Sequence, residues 1–310
     1  MRAPSIRDSM SALLQLPRPA QVAAAEALRR SLADRSPPEE WNTRFGPGSL
    51  FEAWTSTRLT TGLYAENALA LRPVVTRPGW RVVEIGGGDG RLWAGLAEGM
   101  APGELVVIDP AEEVRAAVMR RLPPQVRLRF VVSPVEAVSL PPADAVVCSL
   151  TLHHLAGRDA AERARYGLSG PGKLEVLQRI RGSIAERRGF LLLNEADVYC
   201  DVQIPPGDPL LADHLADSYL RRCGRALLDE LRDREAIGDP HHMVPRLEAI
   251  LHRWCLDQLR LALVPRAERD VYELDVFRWL EVLDRAGLKV VERGFTDPYG
   301  LFHRYVCRAE

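Results

Sequence analysis

The feature that most constrains the fold is a glycine turn that directly follows a short apolar run. Residues 81–92 read Arg-Val-Val-Glu-Ile-Gly-Gly-Gly-Asp-Gly-Arg-Leu. Glycine has no Cβ, so Gly86, Gly88 and Gly90 allow positive φ angles and a close approach of a ligand to the main chain. A helix that begins near Asp89 directs its free N–H groups and the positive end of its dipole toward that ligand. The pattern therefore predicts a strand, a ligand-binding turn and a helix.

The spacing of these glycines disfavours a nicotinamide dinucleotide. The fingerprint G-x-G-x-x-G requires Gly or Ala three residues after Gly88, where this chain has Arg91. The pattern from Val82 to Gly90 instead resembles the first motif of the class I S-adenosylmethionine (SAM)-dependent methyltransferases. The resemblance implies SAM as the cofactor, with Glu84 near the amino end of its methionine moiety.

The segments after the glycine turn alternate between apolar, β-branched strands and helical patterns. This alternation predicts an α/β fold with a parallel sheet and helices on both faces. The resemblance, which covers residues 80–196 and 272–308, implies a Rossmann-like, seven-stranded, mostly parallel sheet whose final strand is antiparallel. The predicted strands are 81–86, 104–109, 126–132, 145–150, 189–194, 289–295 and 301–308, and the predicted helices in this part are 111–121, 172–187 and 275–286.

Two regions outside this alternation carry helical spacing. Residues 1–75 combine short apolar stripes with prolines and are interpreted as an N-terminal helical cap. Residues 198–270 show two apolar stripes and no strand pattern, so we interpret them as an inserted helical lid for acceptor binding. The SAM-binding core then comprises residues 76–197 and 271–310.

A carboxylate at the end of the second strand is the main candidate for binding the ribose. Ligands of open parallel sheets bind beyond the carboxyl ends of the strands, where the strand order reverses. The resemblance implies that Asp109 accepts the ribose hydroxyls, and the alternative is that it caps the following helix. At Pro134 the family often has an acidic residue that binds adenine, so the nearby backbone or Glu136 is the remaining candidate. The predicted cofactor-binding set is Glu84, Gly86, Gly88, Gly90, Asp109, Pro110, Ser133, Val135 and Ser149.

Two adjacent histidines follow the fourth strand. The segment Leu152–Leu155 reads Leu-His-His-Leu and resembles the fourth motif of small-molecule methyltransferases. Neighbouring side chains point in different directions, which disfavours joint metal binding by His153 and His154, and no metal site is predicted. We expect one histidine to line the site and the other to be structural, and proton transfer by either is left open. Glu195 is a candidate for orienting an acceptor hydroxyl or amine, and the alternative is a solvated loop carboxylate.

Further acceptor-site candidates lie in the cap, in the lid and before the last strand. In the cap, one of Arg58, Tyr64 and Asn67 reaches the cofactor or acceptor, or the region only packs onto the core. The remaining candidates are Asp197, His214, Tyr219, His241, His242, Arg246, His252, Trp254 and the loop 296–299.

Composition narrows the class of partner. A net charge of -1 gives no long-range attraction for nucleic acid or an anionic membrane. The five scattered cysteines favour reduced thiols, and the N-terminus has no signal-peptide pattern. No apolar run reaches the roughly 18 residues of a membrane span. We therefore predict a cytoplasmic protein, a monomer or a homodimer, with a small-molecule acceptor, no nucleic acid and no membrane.

The predicted reaction is transfer of the SAM methyl group to an O, N or C nucleophile of a small molecule, in keeping with specialised metabolism. Such chemistry requires alignment of donor and acceptor and exclusion of water more than a protein nucleophile. Three alternatives stay open at this point. They are a methyltransferase for a peptide or transfer RNA, a SAM-binding protein without transfer activity, and a nucleotide-binding relative of the dehydrogenases.

Overall fold

A layered α/β core with a helical N-terminal region is the architecture of the chain. The computed structural model describes residues 6–33, 55–155, 171–196 and 274–310, together with eight isolated positions between 210 and 230. The elements in chain order are α1 (Ile6–Leu14), α2 (Arg18–Ala33), α3 (Arg58–Val75), β1 (Trp80–Ile85), α4 (Arg91–Ala94), β2 (Gly103–Asp109), α5 (Glu113–Met119), β3 (Val126–Val132), β4 (Ala145–Ser149), α6 (Pro171–Ala185), β5 (Phe190–Ala196), α7 (Val276–Arg285), β6 (Leu288–Phe295) and β7 (Phe302–Ala309).

The strands form one seven-stranded sheet in the order β3-β2-β1-β4-β5-β7-β6. β1 pairs in parallel with both β2 and β4, so the strand order reverses between β1 and β4. β7 pairs antiparallel with both β5 and β6. The predicted seven-stranded, mostly parallel sheet is confirmed, including its antiparallel final strand. The reversal beside β1 is the position at which sheets of this kind bind ligands.

Alternate residues of the central strands fill two hydrophobic layers. Val83 and Ile85 belong to the layer that α6 and α7 cover. Val82 belongs to the opposite layer, together with Leu71 of α3 and Trp93 of α4. Because β1 and β4 are buried on both faces, their sequences are nearly continuous apolar runs. Side chains alternate between faces along a strand, so Glu84 lies on the same face as Val82, beneath α3.

Some element boundaries differ from the sequence prediction. The helix after the glycine turn is a single turn, α4, which begins at Arg91 and is bounded by Gly90 and Gly95. The helix predicted at 111–121 is shorter in the structure, where α5 spans only seven residues. β5 continues two residues beyond the predicted end at Asn194 because it pairs with β7 as far as Ala196. The alternative of Glu195 as a solvated loop carboxylate is therefore wrong.

The described residues of the predicted cap form α1, α2 and α3, and α3 packs its Leu71 and Val75 against Trp80 of the sheet. None of the described helices combines the length and the apolar composition needed to cross a membrane.

Most of the predicted lid lies outside the described residues. So do the acceptor-site candidates Asp197, Tyr219, His241, His242, Arg246, His252 and Trp254.

Candidate active site

A cavity of about 400 Å³ lies beyond the carboxyl ends of β1, β2 and β4. This volume is within the usual range for small-molecule sites. Its lining comes from α3, the glycine turn and the segments that follow β2, β3 and β4. The predicted site residues on the lining are Glu84, Gly86, Gly88, Asp109, Pro110, Val135, Ser149 and His154. Four other predicted residues are not part of it, namely Gly90, Ser133, His153 and Glu195.

The first and last glycines of the turn are required for different reasons. Gly86 has a φ of 79°, and a Cβ there would overlap the Thr151 side chain, which also lines the cavity. Gly90 has a φ of 72°, and a Cβ there would lie 2.8 Å from Val118 Cα of α5. Gly86 therefore keeps the cavity lining open, whereas Gly90 allows close packing of the turn against α5.

Asp109 connects the glycine turn to the start of the next segment. Its Oδ2 accepts the Gly87 N–H at 2.9 Å, and its Oδ1 accepts the Ala111 N–H at 2.9 Å. Burial raises the pKa of Asp109, and these backbone hydrogen bonds oppose the rise. Because α5 begins at Glu113 with Glu112 as its N-cap, the contact to Ala111 fixes the loop before the helix and does not cap it. Asp109 also lies on the cavity lining.

Glu84 is the most deeply buried acid of the cavity. It is 5% exposed, and the indole Nε1 of Trp93 donates to its Oε2 at 2.7 Å. Burial raises the pKa of Glu84 to about 8, a rise that the Trp93 hydrogen bond opposes and the nearby Asp109 and Asp89 carboxylates increase. Burial thus favours the protonated form of Glu84, and a cationic ligand group beside it would favour the ionised form.

The cap closes one side of the cavity through contacts that the sequence analysis did not find. Arg91 donates through Nε to Asp89 Oδ2 at 2.9 Å and through Nη1 to the Thr55 carbonyl at 2.9 Å. Thr55 Oγ1 also donates to Asp89 Oδ2 at 3.3 Å. Thr55, Arg91 and Tyr64 all line the cavity. The only sequence signal was Arg91 itself, at the position where a dinucleotide fingerprint has a small residue.

The wall after β3 is held by a guanidinium. Arg179 of α6 donates through Nη1 to three carbonyls, at 3.0 Å to Val135, 3.2 Å to Glu136 and 2.8 Å to Val138. Pro134, Val135 and Glu136 line the cavity. Ser133 lies outside the lining, and its hydroxyl donates to the Pro134 carbonyl at 3.1 Å.

The segment after β4 places its two histidines differently. His154 lines the cavity, and its ring centroid lies 4.2 Å from that of His153. His153 Nδ1 is 2.8 Å from Glu195 Oε2, and Glu195 is only 2% exposed. Leu150 in the same segment has a φ of 52°, an unusual value for a side chain of this kind. Strained backbone of this type often occurs at functional sites.

Ser149 connects the cavity to a buried polar cluster. Asn67 of α3 donates through Nδ2 to Ser149 Oγ at 3.0 Å, and Asn194 of β5 donates to Asn67 Oδ1 at 3.0 Å. Both asparagine side chains are fully buried. Of the three cap candidates, Tyr64 lines the cavity and Asn67 supports Ser149. The side chain of the third, Arg58, is exposed.

The described lid positions contact the cap and the loop before β7. Arg58 donates its backbone N–H to Glu230 Oε2 at 3.0 Å. The Tyr299 hydroxyl donates to Asp229 Oδ2 at 2.6 Å, and Arg222 Nε donates to the Tyr299 carbonyl at 3.2 Å. The predicted loop 296–299 therefore contacts the lid and is not part of the cavity lining.

Within the part of the chain that the structure describes, no three His, Cys, Asp or Glu side chains converge to hold a metal ion. Cys148 and Cys307 are free thiols in the interior. Burial raises the pKa of Cys307 to about 12, so this thiol stays protonated at neutral pH.

Part of the chain matches a known family. Residues 82–167 match the family model described as a methyltransferase domain. This segment contains the glycine turn, Asp109 and both histidines. The chain carries a methyltransferase domain. Comparison with curated proteins gives no match.

The chain is also similar to several solved structures. A possible exported protein from Bordetella parapertussis is similar with a TM-score of 0.52 and 15% identity, covering 100% of this chain and 99% of its own. The N,N-8-amino-8-demethyl-D-riboflavin dimethyltransferase RosA from Streptomyces davawensis is 17% identical with a TM-score of 0.46, and the match covers 98% of this chain and 73% of that protein. Magnesium protoporphyrin IX methyltransferase from Synechocystis PCC 6803, solved with bound S-adenosylhomocysteine, is 13% identical with a TM-score of 0.46, over 87% and 97%. At these identities the likeness concerns the fold alone.

Proposed function

We propose that this methyltransferase transfers the methyl group of SAM to an O, N or C nucleophile of a small molecule. The observation that carries the proposal is the cavity of about 400 Å³ at the strand-order reversal, with Glu84 and Asp109 on one continuous lining. The cap residues Thr55 and Tyr64 close one of its sides. A partly enclosed cavity of this size suits a cofactor and a small acceptor better than an extended polymer.

The two carboxylates suit different parts of the cofactor. Asp109 has its oxygens fixed by two backbone N–H groups and would accept the ribose hydroxyls. Glu84 would receive the ammonium group of the methionine moiety, which would restore its charge. The segment 134–136, held by Arg179, would contact the adenine in place of the acidic side chain that the family often has there. SAM supplies an activated methyl group, and these residues bind it, orient it and exclude water.

His153, His154 and Glu195 would serve the acceptor. Glu195 Oε2 lies at His153 Nδ1, which favours the tautomer with the proton on Nδ1. His153 does not line the cavity, so this pair would hold the segment in place. His154 lines the cavity and would orient an acceptor hydroxyl or amine and take its proton. This arrangement supports general-base assistance of methyl transfer.

The first test is binding of S-adenosylhomocysteine (SAH) by isothermal titration calorimetry, followed by incubation with SAM and a panel of hydroxylated, amino and carbon-nucleophile small molecules. The proposal expects saturable SAH binding and a mass increase of one methyl group in at least one acceptor class. Binding without any product would favour a SAM-binding protein that lacks transfer activity. Absence of SAH binding in folded protein would overturn the proposal altogether.

A further inference from the structure

We infer that Ser149 is held as an obligate hydrogen-bond donor to the carboxylate of the cofactor's amino-acid end, with Asn67 and Asn194 as its positioning residues. The inference rests on the proposed function, because it names an atom pair within the proposed cofactor site. The three polar side chains meet beneath α3: Asn67 belongs to α3, Ser149 to β4 and Asn194 to β5.

The Ser149 hydroxyl already accepts two hydrogen bonds from protein side chains. Its Oγ accepts Asn67 Nδ2 at 3.0 Å and Asn194 Nδ2 at 3.4 Å. A serine hydroxyl has two acceptor lone pairs and one proton, so both lone pairs are occupied. The proton has no acceptor among the described residues, and Ser149 lies on the cavity lining. What Ser149 offers a ligand is therefore a donor and not an acceptor.

The hydrogen bonds of this cluster share one donor-to-acceptor direction, from Asn194 through Asn67 to Ser149. Asn194 Nδ2 donates to Asn67 Oδ1 at 3.0 Å, and Asn67 in turn donates to Ser149, so the donors point toward the cavity. The chain of bonds begins at Asn194 Oδ1, a buried acceptor with no hydrogen-bond partner among the described residues. An unsatisfied buried acceptor is unfavourable for stability. The cluster is thus better explained by the orientation it imposes on Ser149 than by a contribution to folding.

The ligand group that would accept the Ser149 proton follows from the position of Glu84. Glu84 is paired with Val147 in the neighbouring strand, and Ser149 lies two residues beyond Val147. Alternate residues of a strand share a face, so Glu84 and Ser149 line the same side of the cavity. The ammonium and carboxylate of an amino acid share one carbon, so an ammonium at Glu84 places the carboxylate nearby. An ammonium cannot accept the Ser149 proton, whereas a carboxylate can.

The decisive experiment compares two ligands by calorimetry: SAH and its decarboxylated analogue, S-adenosyl-3-thiopropylamine. Ser149→Ala is expected to weaken SAH about tenfold, as for loss of a hydrogen bond to a charged group, and the analogue by less than about twofold. Ser149→Thr keeps the hydroxyl and is expected to retain the preference for SAH. Equal weakening of both ligands, or unchanged SAH affinity, would overturn the inference. If wild-type protein binds neither ligand, the proposed function fails instead.

The positioning role is tested by the ratio of the two affinities. Asn67→Asp gives the Ser149 proton a buried acceptor and is expected to lower the preference for SAH to that of Ser149→Ala. If this variant does not fold, Asn67→Ser replaces it with the same expectation. A merely structural role would weaken both ligands in proportion and leave the ratio unchanged, which would refute the positioning role. Ser183→Ala is the matched control, because it removes a buried hydroxyl that donates to the Pro141 carbonyl, away from the cavity; it must leave the ratio unchanged.

Discussion

The carboxylate of Glu195 in β5 accepts the backbone N–H of Leu152 at 2.7 Å, so one strand fixes the turn that follows its neighbour. The same oxygen lies 3.3 Å from the Thr151 N–H, and the other oxygen is at His153 Nδ1. One buried acid therefore determines the conformation of the whole segment that carries both histidines.

Removing this acid is expected to destabilise the fold as well as the site. Glu195→Ala leaves two backbone N–H groups and an imidazole nitrogen without their acceptor, a loss of roughly 1–3 kcal/mol in the free energy of unfolding. Glu195→Gln keeps one acceptor oxygen and is expected to lose less. Urea unfolding followed by circular dichroism measures both variants. Equal stability of Glu195→Ala and wild type would show that the turn does not depend on this carboxylate.

Asp109 is expected to contribute directly to cofactor affinity. Asp109→Ala should weaken SAH binding by roughly 1–3 kcal/mol, the range for a hydrogen bond to a charged group. The matched control is Glu104→Gln, which changes a carboxylate near the amino end of the same strand, where it pairs with Arg81 and Arg127. Calorimetry on folded variants decides the point. An unchanged dissociation constant for Asp109→Ala would remove the ribose assignment.

Glu84 is expected to make stability depend on pH. Its pKa rises from 4.5 to about 8 on folding, so between these values the folded protein holds a proton that the unfolded chain has released. The free energy of unfolding therefore falls as the pH rises through this window and levels off above it. Glu84→Gln keeps an acceptor for Trp93 Nε1 and should flatten this dependence. Denaturant unfolding from pH 5 to pH 9 measures it, and parallel curves for the two proteins would contradict the assignment.

A comparison of two glycines with nearly equal φ angles distinguishes the cost of backbone strain from the cost of steric overlap. Gly90 and Gly79 have φ values of 72° and 76°, but of the two only Gly90 has backbone atoms, those of Ala117 and Val118, where a Cβ would lie. Gly79→Ala should cost roughly 1–2 kcal/mol, the usual penalty for a left-handed residue with a Cβ. Gly90→Ala should cost a further 1–3 kcal/mol, roughly the range for overpacking. Thermal unfolding measures the difference, and equal losses would show that α5 shifts to accommodate the methyl group.

Much of the core could be predicted from local sequence. The run from Val82 to Ile85 is apolar except for one acid and is followed by glycines, which predicts a buried strand and a turn. The strand–helix alternation then predicts the strands and helices that follow along the chain. Glu84, Gly86 and Asp109 line one cavity, because the ends of parallel strands converge by geometry, and their role in cofactor binding stays a prediction. These inferences depend on periodicity and on chain order.

What the sequence by itself determined was the α/β class and the group of residues at the strand ends, since both follow from local patterns, while the antiparallel end of the sheet followed from the family resemblance. Only the tertiary structure decided which side chains meet across elements. It brought Glu195 to His153, Asn67 to Ser149 and Arg91 to Thr55. It also placed Gly90 against α5 and outside the cavity lining. Such contacts depend on strand register and helix packing between residues far apart in the chain, which no local pattern encodes.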